Sequence, residues 1–297
     1  MPTTDDPLLS PRLLAQLERL ELVSRKIFRG RMKGERRSKR KGQSVEFADF
    51  RNYVPGDDLR FLDWNLYARL DRLFLKMFLE EEDLHFYVLI DASGSMDFGQ
   101  PTKLHFAKQL AAALGFIALV RSDRVKIETL GQSPRRPAPV LRGRHNLWRM
   151  LDVVEQITPG ETATLAEGVK SFTLRNSGKG IVVLVSDLMD KTGYDAALRY
   201  FLAGDFDCYV FHVLSAAEMD PDVQGDLRLV DAEDADETEV TVSAPLLKRY
   251  QQTLTAFVEE AREFCMRRGI SYLLTRSDTP VEQLVLGYLR KRGLVRG

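Results

Sequence analysis

The chain has 297 residues, 44% of them apolar, with 43 Lys and Arg balancing 43 Asp and Glu. That length holds one large domain, or one domain with a smaller attachment, and the apolar fraction supplies a full core. A formal net charge of zero excludes a global attraction to polyanions. The opening MPTTDDPLLSPRLL lacks the basic-then-apolar order of a secretory leader.

Leu9, Leu13, Leu17 and Leu20 repeat at helical spacing, which predicts a helix over 8–23. Residues 25–42 carry ten Lys and Arg against the single acid Glu35 and predict a loop or arm. Strands are expected at 45–50 and 72–79, with a Pro55-Gly56 turn between them. Residues 1–83 therefore read as an N-terminal extension with a small β element. From 84 the pattern changes. LHFYVLI (84–90), IVVLVS (181–186) and CYVFHVL (208–214) are continuous apolar runs, as in strands buried on both faces. ISYLL (270–274) predicts a last buried strand, and the alternation over 124–130 an edge strand. Helices are expected between them: one with Leu104, Ala107, Ala111, Leu114 and Ala118 on a face, then 145–157, 163–175, 194–203, 246–268 and 280–291. Strands alternating with helices predict an α/β domain over 84–297, Rossmann-like, with a mostly parallel sheet flanked by helices. The acidic stretch 218–239, ten acids against Arg228, reads as a solvated loop and hairpin.

Ligands of open α/β sheets sit beyond the carboxyl ends of the strands. The run 84–90 leads into Asp91-Ala-Ser93-Gly-Ser95, the run 181–186 leads into Asp187, and PGETAT (159–164) puts Thr162 in a turn before a helix. This pattern resembles the metal-ion-dependent adhesion site of von Willebrand factor A domains: Asp-x-Ser-x-Ser after the first strand, a later Thr, and an Asp after the fourth strand. The resemblance implies that Asp91, Ser93, Ser95, Thr162 and Asp187 hold one divalent ion: magnesium, with manganese or calcium as substitutes. Magnesium prefers six oxygens in near-octahedral order and keeps several waters. Hydroxyl ligands would leave it electrophilic, seeking an Asp or Glu carboxylate from a partner protein. The competing reading is helix capping by Ser95, Thr162 or Thr164, and Thr164 stays open as the alternative threonine ligand.

Residues 46–82 resemble the signature of the bacterial DUF58 proteins, through Arg51, Tyr53, Pro55, Gly56, Asp57, Asp58, Arg60, Asp63, Trp64, Ala68 and Arg69. That resemblance implies a non-enzymatic adaptor of a MoxR-type AAA+ ATPase, acting in assembly or remodelling of protein complexes. The charged residues of the signature read as an ion-pair network clamping the extension onto the domain, and Trp64 reads as core.

Two other functions are weighed. A metal-dependent phosphoesterase would need a base and a cation near the ion, for which Asp97, Lys103 and Asp190 are the nearby residues. Nucleic-acid binding could use the 25–42 arm, but Phe28 is its only aromatic for base stacking. Ser177-Gly178-Lys179 is an incomplete phosphate-loop fragment, since Thr173 stands where the first glycine belongs. His85, His105, His145 and His212 are scattered, without zinc spacing, and Cys208 and Cys265 read as buried thiols. No stretch approaches the ~20 apolar residues that cross a bilayer, so the expected compartment is the cytosol.

Overall fold

A computed structural model of the chain describes residues 7–24, 46–79, 84–130, 138–160, 164–176, 180–204, 206–231 and 236–296. Two compact units are present. Described residues before 33 and after 83 form the larger one, and those within 33–83 the smaller. The basic segment 25–42 lies outside the described residues.

The helix expected over 8–23 is shorter. It spans Pro11–Leu17, capped by the Ser10 side chain, and the chain then straightens into β1 (Glu21–Leu22). Leu13, Leu17, Leu20 and Leu22 are all buried. The last two reach the core because β1 pairs antiparallel with a C-terminal strand, Val295–Arg296, a long-range partner that helical spacing could not announce.

In the smaller unit, β2 (Glu46–Asn52) and β3 (Phe74–Leu79) form an antiparallel pair. The connection carries a 3-10 turn, Leu59–Phe61, capped by Asp58, and a helix, Trp64–Leu70, capped by Asp63. Ion pairs among its described residues include Arg51–Asp57 at 2.9 Å, Arg60–Asp58 at 2.6 Å and Lys76–Asp63 at 3.2 Å. Trp64 is not core. It is 63% exposed and meets Tyr67 edge-on at 6.2 Å. So short a segment has too little volume to enclose an indole.

The larger unit is built on a six-stranded sheet of β4 (His85–Asp91), β5 (Arg124–Leu130), β6 (Leu141–Arg142), β7 (Gly180–Ser186), β8 (Asp207–Leu214) and β11 (Ser271–Arg276), with the hairpin strands β9 (Gly225–Val230) and β10 (Glu237–Val242) between β8 and β11 in sequence. The spatial order is β11-β8-β7-β4-β5-β6. All pairings are parallel except β5–β6. The expected mostly parallel α/β architecture is thus present. Strand 124–130 takes a short partner on its outer side, β6, at Arg124 and Val125 only, so the remainder of it is an edge among the described residues. The last strand is the other edge and only partly buried, since β8 is its single neighbour in the sheet.

Side chains alternate to the two faces. Phe86, Val88 and Ile90 of β4 join one core with the helix Lys103–Val120. Tyr87 and Leu89 join the other, with Val169 of the helix Leu165–Arg175 and Leu198 of the helix Asp195–Ala203. The helix Lys103–Val120 is long and apolar enough to cross a membrane by length and composition, and 78% of it is buried inside the domain, as in a core helix. The acidic stretch contains a two-stranded hairpin, β9 (Gly225–Val230) and β10 (Glu237–Val242), largely exposed. The helix expected at 280–291 is present as a continuous helical run over 281–292, α-helical at Val281–Gln283 and Arg290–Arg292 and π-helical at Leu284–Leu289. Cys208 and Cys265 are buried free thiols.

The start of β7 lies close against β4. A Cβ on Gly180 would sit 2.5 Å from the His85 carbonyl oxygen, a contact that no rotamer change relieves. Gly180→Ala is expected to destabilise the domain by about 1–3 kcal/mol. Urea unfolding checks this, and an unchanged midpoint would count against the packing described.

Candidate functional site at the carboxyl ends of β4 and β7

Strand order reverses between β4 and β7: β5 follows β4 on one side, while β7, β8 and β11 build outward on the other. Such switch points open a crevice at the strands' carboxyl ends. Asp91 closes β4, and Ile90 pairs with Val185, so Ser186 and Asp187 come up alongside it.

Asp91 is buried at 8% exposure. Its Oδ1 accepts the Ser93 N–H at 3.0 Å, and its Oδ2 accepts the Ser186 hydroxyl at 2.6 Å. Ser93 and Ser95 touch through their hydroxyls at 3.0 Å, held by a 3-10 turn, Gly94–Asp97. Asp187 accepts the Met189 N–H on Oδ1 at 3.1 Å and the Lys103 ammonium on Oδ2 at 2.7 Å. Leu188, between them, takes a left-handed φ of 58°, a conformation costly for a residue with a Cβ. The Ser186 hydroxyl holds that turn by accepting the Leu188 N–H at 2.9 Å.

Capping does not explain Ser93 or Ser95. The helix Lys103–Val120 is capped by Thr102, and Ser93 makes no side-chain cap bond. Capping does explain Thr164, whose hydroxyl accepts the Glu167 N–H. Thr162 lies outside the described residues, as does the 177–179 fragment. The loop leading to Thr162 reaches the site nonetheless, since Gly160 N–H donates to the Ala92 carbonyl at 3.0 Å.

Burial first, and the neighbouring Asp187 charge second, push the Asp91 carboxyl above the ordinary carboxylate range; bonds from Ser186 and Ser93 oppose this. Two carboxylates so placed call for positive charge. Lys103, wholly buried, gives part of it and also binds Glu218 at 2.5 Å. Three carboxylates and one ammonium leave a formal charge of −2. Hydroxyl and carboxylate oxygens in a site of that charge fit a hard divalent ion. Among the described residues no group of three or more His, Cys, Asp or Glu is arranged to hold a metal, so a site here depends on the serine hydroxyls.

Three further residues complete the network: Ser186, Glu218 and Lys103. Ser186 is the one polar residue at the end of an apolar run. Glu218 belongs in sequence to the acidic stretch, yet its side chain is only 14% exposed and completes a capping box with Ser215. Lys103, a candidate catalytic cation by sequence, instead bridges Asp187 and Glu218. Its signal was a lone charge opening an apolar helix. Of the other hydrolase candidates, Asp97 is exposed, and Asp190 is taken up by the Leu165 and Thr192 N–H groups.

His212 of β8, beside Ser186 in register, is fully buried, with Nδ1 and the Tyr272 hydroxyl 2.7 Å apart. Burial pushes it down to about 4, against the pull of Asp187. A lowered imidazole contributes stability that is complete above pH 6.5 and is lost as the pH falls from 6.5 towards 4. Wild-type unfolding midpoints should decline through that window, and His212→Gln should flatten the decline. An identical pH profile for the variant would rule His212 out as the cause.

Similarity to known proteins agrees with part of this picture. Uncharacterized protein Rv1480 of Mycobacterium tuberculosis and uncharacterized protein Mb1516 of Mycobacterium bovis are each 25% identical over 295 residues, covering 97% of this chain and 92% of theirs. Two solved structures are 13% identical with a TM-score of 0.41, covering 70% of this chain: BatB from Bacteroides thetaiotaomicron, matched over 98% of its length, and an aerotolerance-related membrane protein from Bacteroides fragilis, matched over 99%. The family model described as "Protein of unknown function DUF58" matches residues 49–260. That match spans more than half of the chain and takes in both the Pro-Gly-Asp-Asp segment and the β4–β7 crevice, so the protein belongs to the DUF58 family.

Proposed function

We propose that the larger unit is a von Willebrand factor A-like domain working as a divalent-metal-dependent protein-binding module, not as an enzyme. The observation that carries this reading is the convergence of Asp91, Ser93, Ser95 and Asp187 at the ends of two adjacent buried strands. When bound, magnesium, manganese or calcium would supply a Lewis-acidic position for an incoming Asp or Glu carboxylate. Ser93 and Ser95 offer neutral oxygens for direct contact, and Thr162 would add a third. The carboxylates suit a role through water, since each oxygen of Asp91 and Asp187 already accepts one hydrogen bond.

By the family resemblance, the partner is a MoxR-type AAA+ ATPase or its client, and the task is assembly or remodelling of protein complexes in the cytoplasm. The phosphoesterase alternative lacks support: Lys103 is wholly buried between two carboxylates and cannot meet a substrate, and Asp190 is engaged with backbone. Nucleic-acid binding would rest on the 25–42 segment alone.

The test is capture of a candidate ATPase from the same organism by immobilised protein. Wild type should retain it in millimolar magnesium and release it in chelator. Asp91→Ala and Ser93→Ala, shown folded by circular dichroism, should retain none. Retention that survives both chelator and Asp91→Ala sinks the proposal. Magnesium-dependent phosphoesterase turnover that Asp91→Ala loses would favour the hydrolase.

A further inference from the structure

Lys103 stands where a lysine is least welcome. It is the first residue of an 18-residue helix, whose amino-terminal end carries partial positive charge and disfavours cations. It is also completely excluded from solvent. An apolar residue would extend the surrounding core at no desolvation cost, and replacing a buried ion pair by well-packed apolar side chains is often neutral or stabilising. Its ammonium instead bridges Asp187 at 2.7 Å and Glu218 at 2.5 Å. Glu218 belongs to the turn after β8 and is locked by its capping box with Ser215. The lysine therefore has one fixed position, at the edge of the Asp91–Ser93–Ser95 set, with Asp187 between.

We infer that Lys103 is a resident counter-cation, a positioning residue that holds Asp187 and sets how tightly the neighbouring oxygens take a divalent ion. The inference rests on the metal-site reading above. A fixed positive charge in a low-dielectric surrounding repels a second cation. Resting affinity is thereby kept low, and a partner's carboxylate in the ion's own shell would offset the lysine's repulsion. Metal and partner then bind together and not in sequence. Glu218 acts in the opposite sense, because it neutralises part of the lysine's charge.

Manganese titration read by electron paramagnetic resonance of the free ion tests this on the full chain. Lys103→Met should bind about tenfold tighter than wild type, and Glu218→Gln about tenfold weaker, as expected for adding or removing one nearby unit of negative charge balance. Lys103→Arg, which keeps the charge, should stay close to wild type. A merely structural role would weaken binding in both of the first two variants, so the opposite signs are diagnostic. Metal-free Lys103→Met should also gain more melting temperature from manganese than wild type does. Unchanged or weaker binding by a folded Lys103→Met overturns the inference while leaving the metal site standing. Should Lys103→Met fail to fold, Glu218→Gln decides, and unchanged or tighter binding there overturns it. Absence of manganese uptake by every protein, wild type included, removes the metal reading and this inference with it.

Discussion

Carboxylates brought side by side out of water demand a cation, and the carboxyl end of this sheet is organised around that demand. Asp91 and Asp187 end up together because β4 and β7 are hydrogen-bonded neighbours in parallel register. Each oxygen is given a hydrogen bond, and one is given an ammonium. The partners come from distant places: a helix start at 103, a strand end at 186 and a turn at 218. A charge left uncompensated at this depth would cost more than an ordinary packing defect, so these segments are tied to one another as firmly as any part of the core. The left-handed backbone at Leu188 fits the same account. Strain at one residue is tolerated where the Ser186 hydroxyl holds the turn and the Leu188 side chain is buried.

The rest of the larger unit keeps this end free for polar chemistry. Crossover helices cover both faces of a parallel sheet, so the interior strands β4, β7 and β8 are apolar over nearly their whole length. Polar groups are then admitted mainly at the strand ends. His212 is an exception within β8, and it is kept neutral by its surroundings. The hairpin β9–β10 leaves from the same end, and Asp231 at its turn meets Lys191 of the loop following Asp187 at 3.3 Å.

The smaller unit is legible residue by residue as local chemistry. Asp57 accepts the Val54 N–H, Asp58 the Arg60 N–H, and Asp63 the Asn65 and Leu66 N–H groups. Much of the family signature is therefore turn and cap construction, with arginines and a lysine balancing the acids on the surface. Exposed pairs of this kind contribute little stability. What they shape is a short connection displaying Leu59, Phe61, Trp64 and Tyr67.

By itself the sequence determined whatever depends on near neighbours in the chain. Unbroken apolar runs specified strands covered on both faces, and their alternation with helices specified a parallel sheet. Polar residues placed directly after those runs marked Asp91, Ser93, Ser95 and Asp187. Tertiary structure decided whatever depends on which segments meet. Leu20 and Leu22 left the helical pattern because the chain's C-terminal strand pairs there. The 124–130 strand gained a short partner at its start because β6, later in the chain, pairs with Arg124 and Val125. Trp64 stayed at the surface because the unit around it is too small. Lys103, Ser186 and Glu218 were ordinary members of a helix, a strand and an acidic stretch until folding enclosed them together. Burial turned them into a network, because an ion pair that is nearly worthless in water becomes obligatory once solvent is excluded.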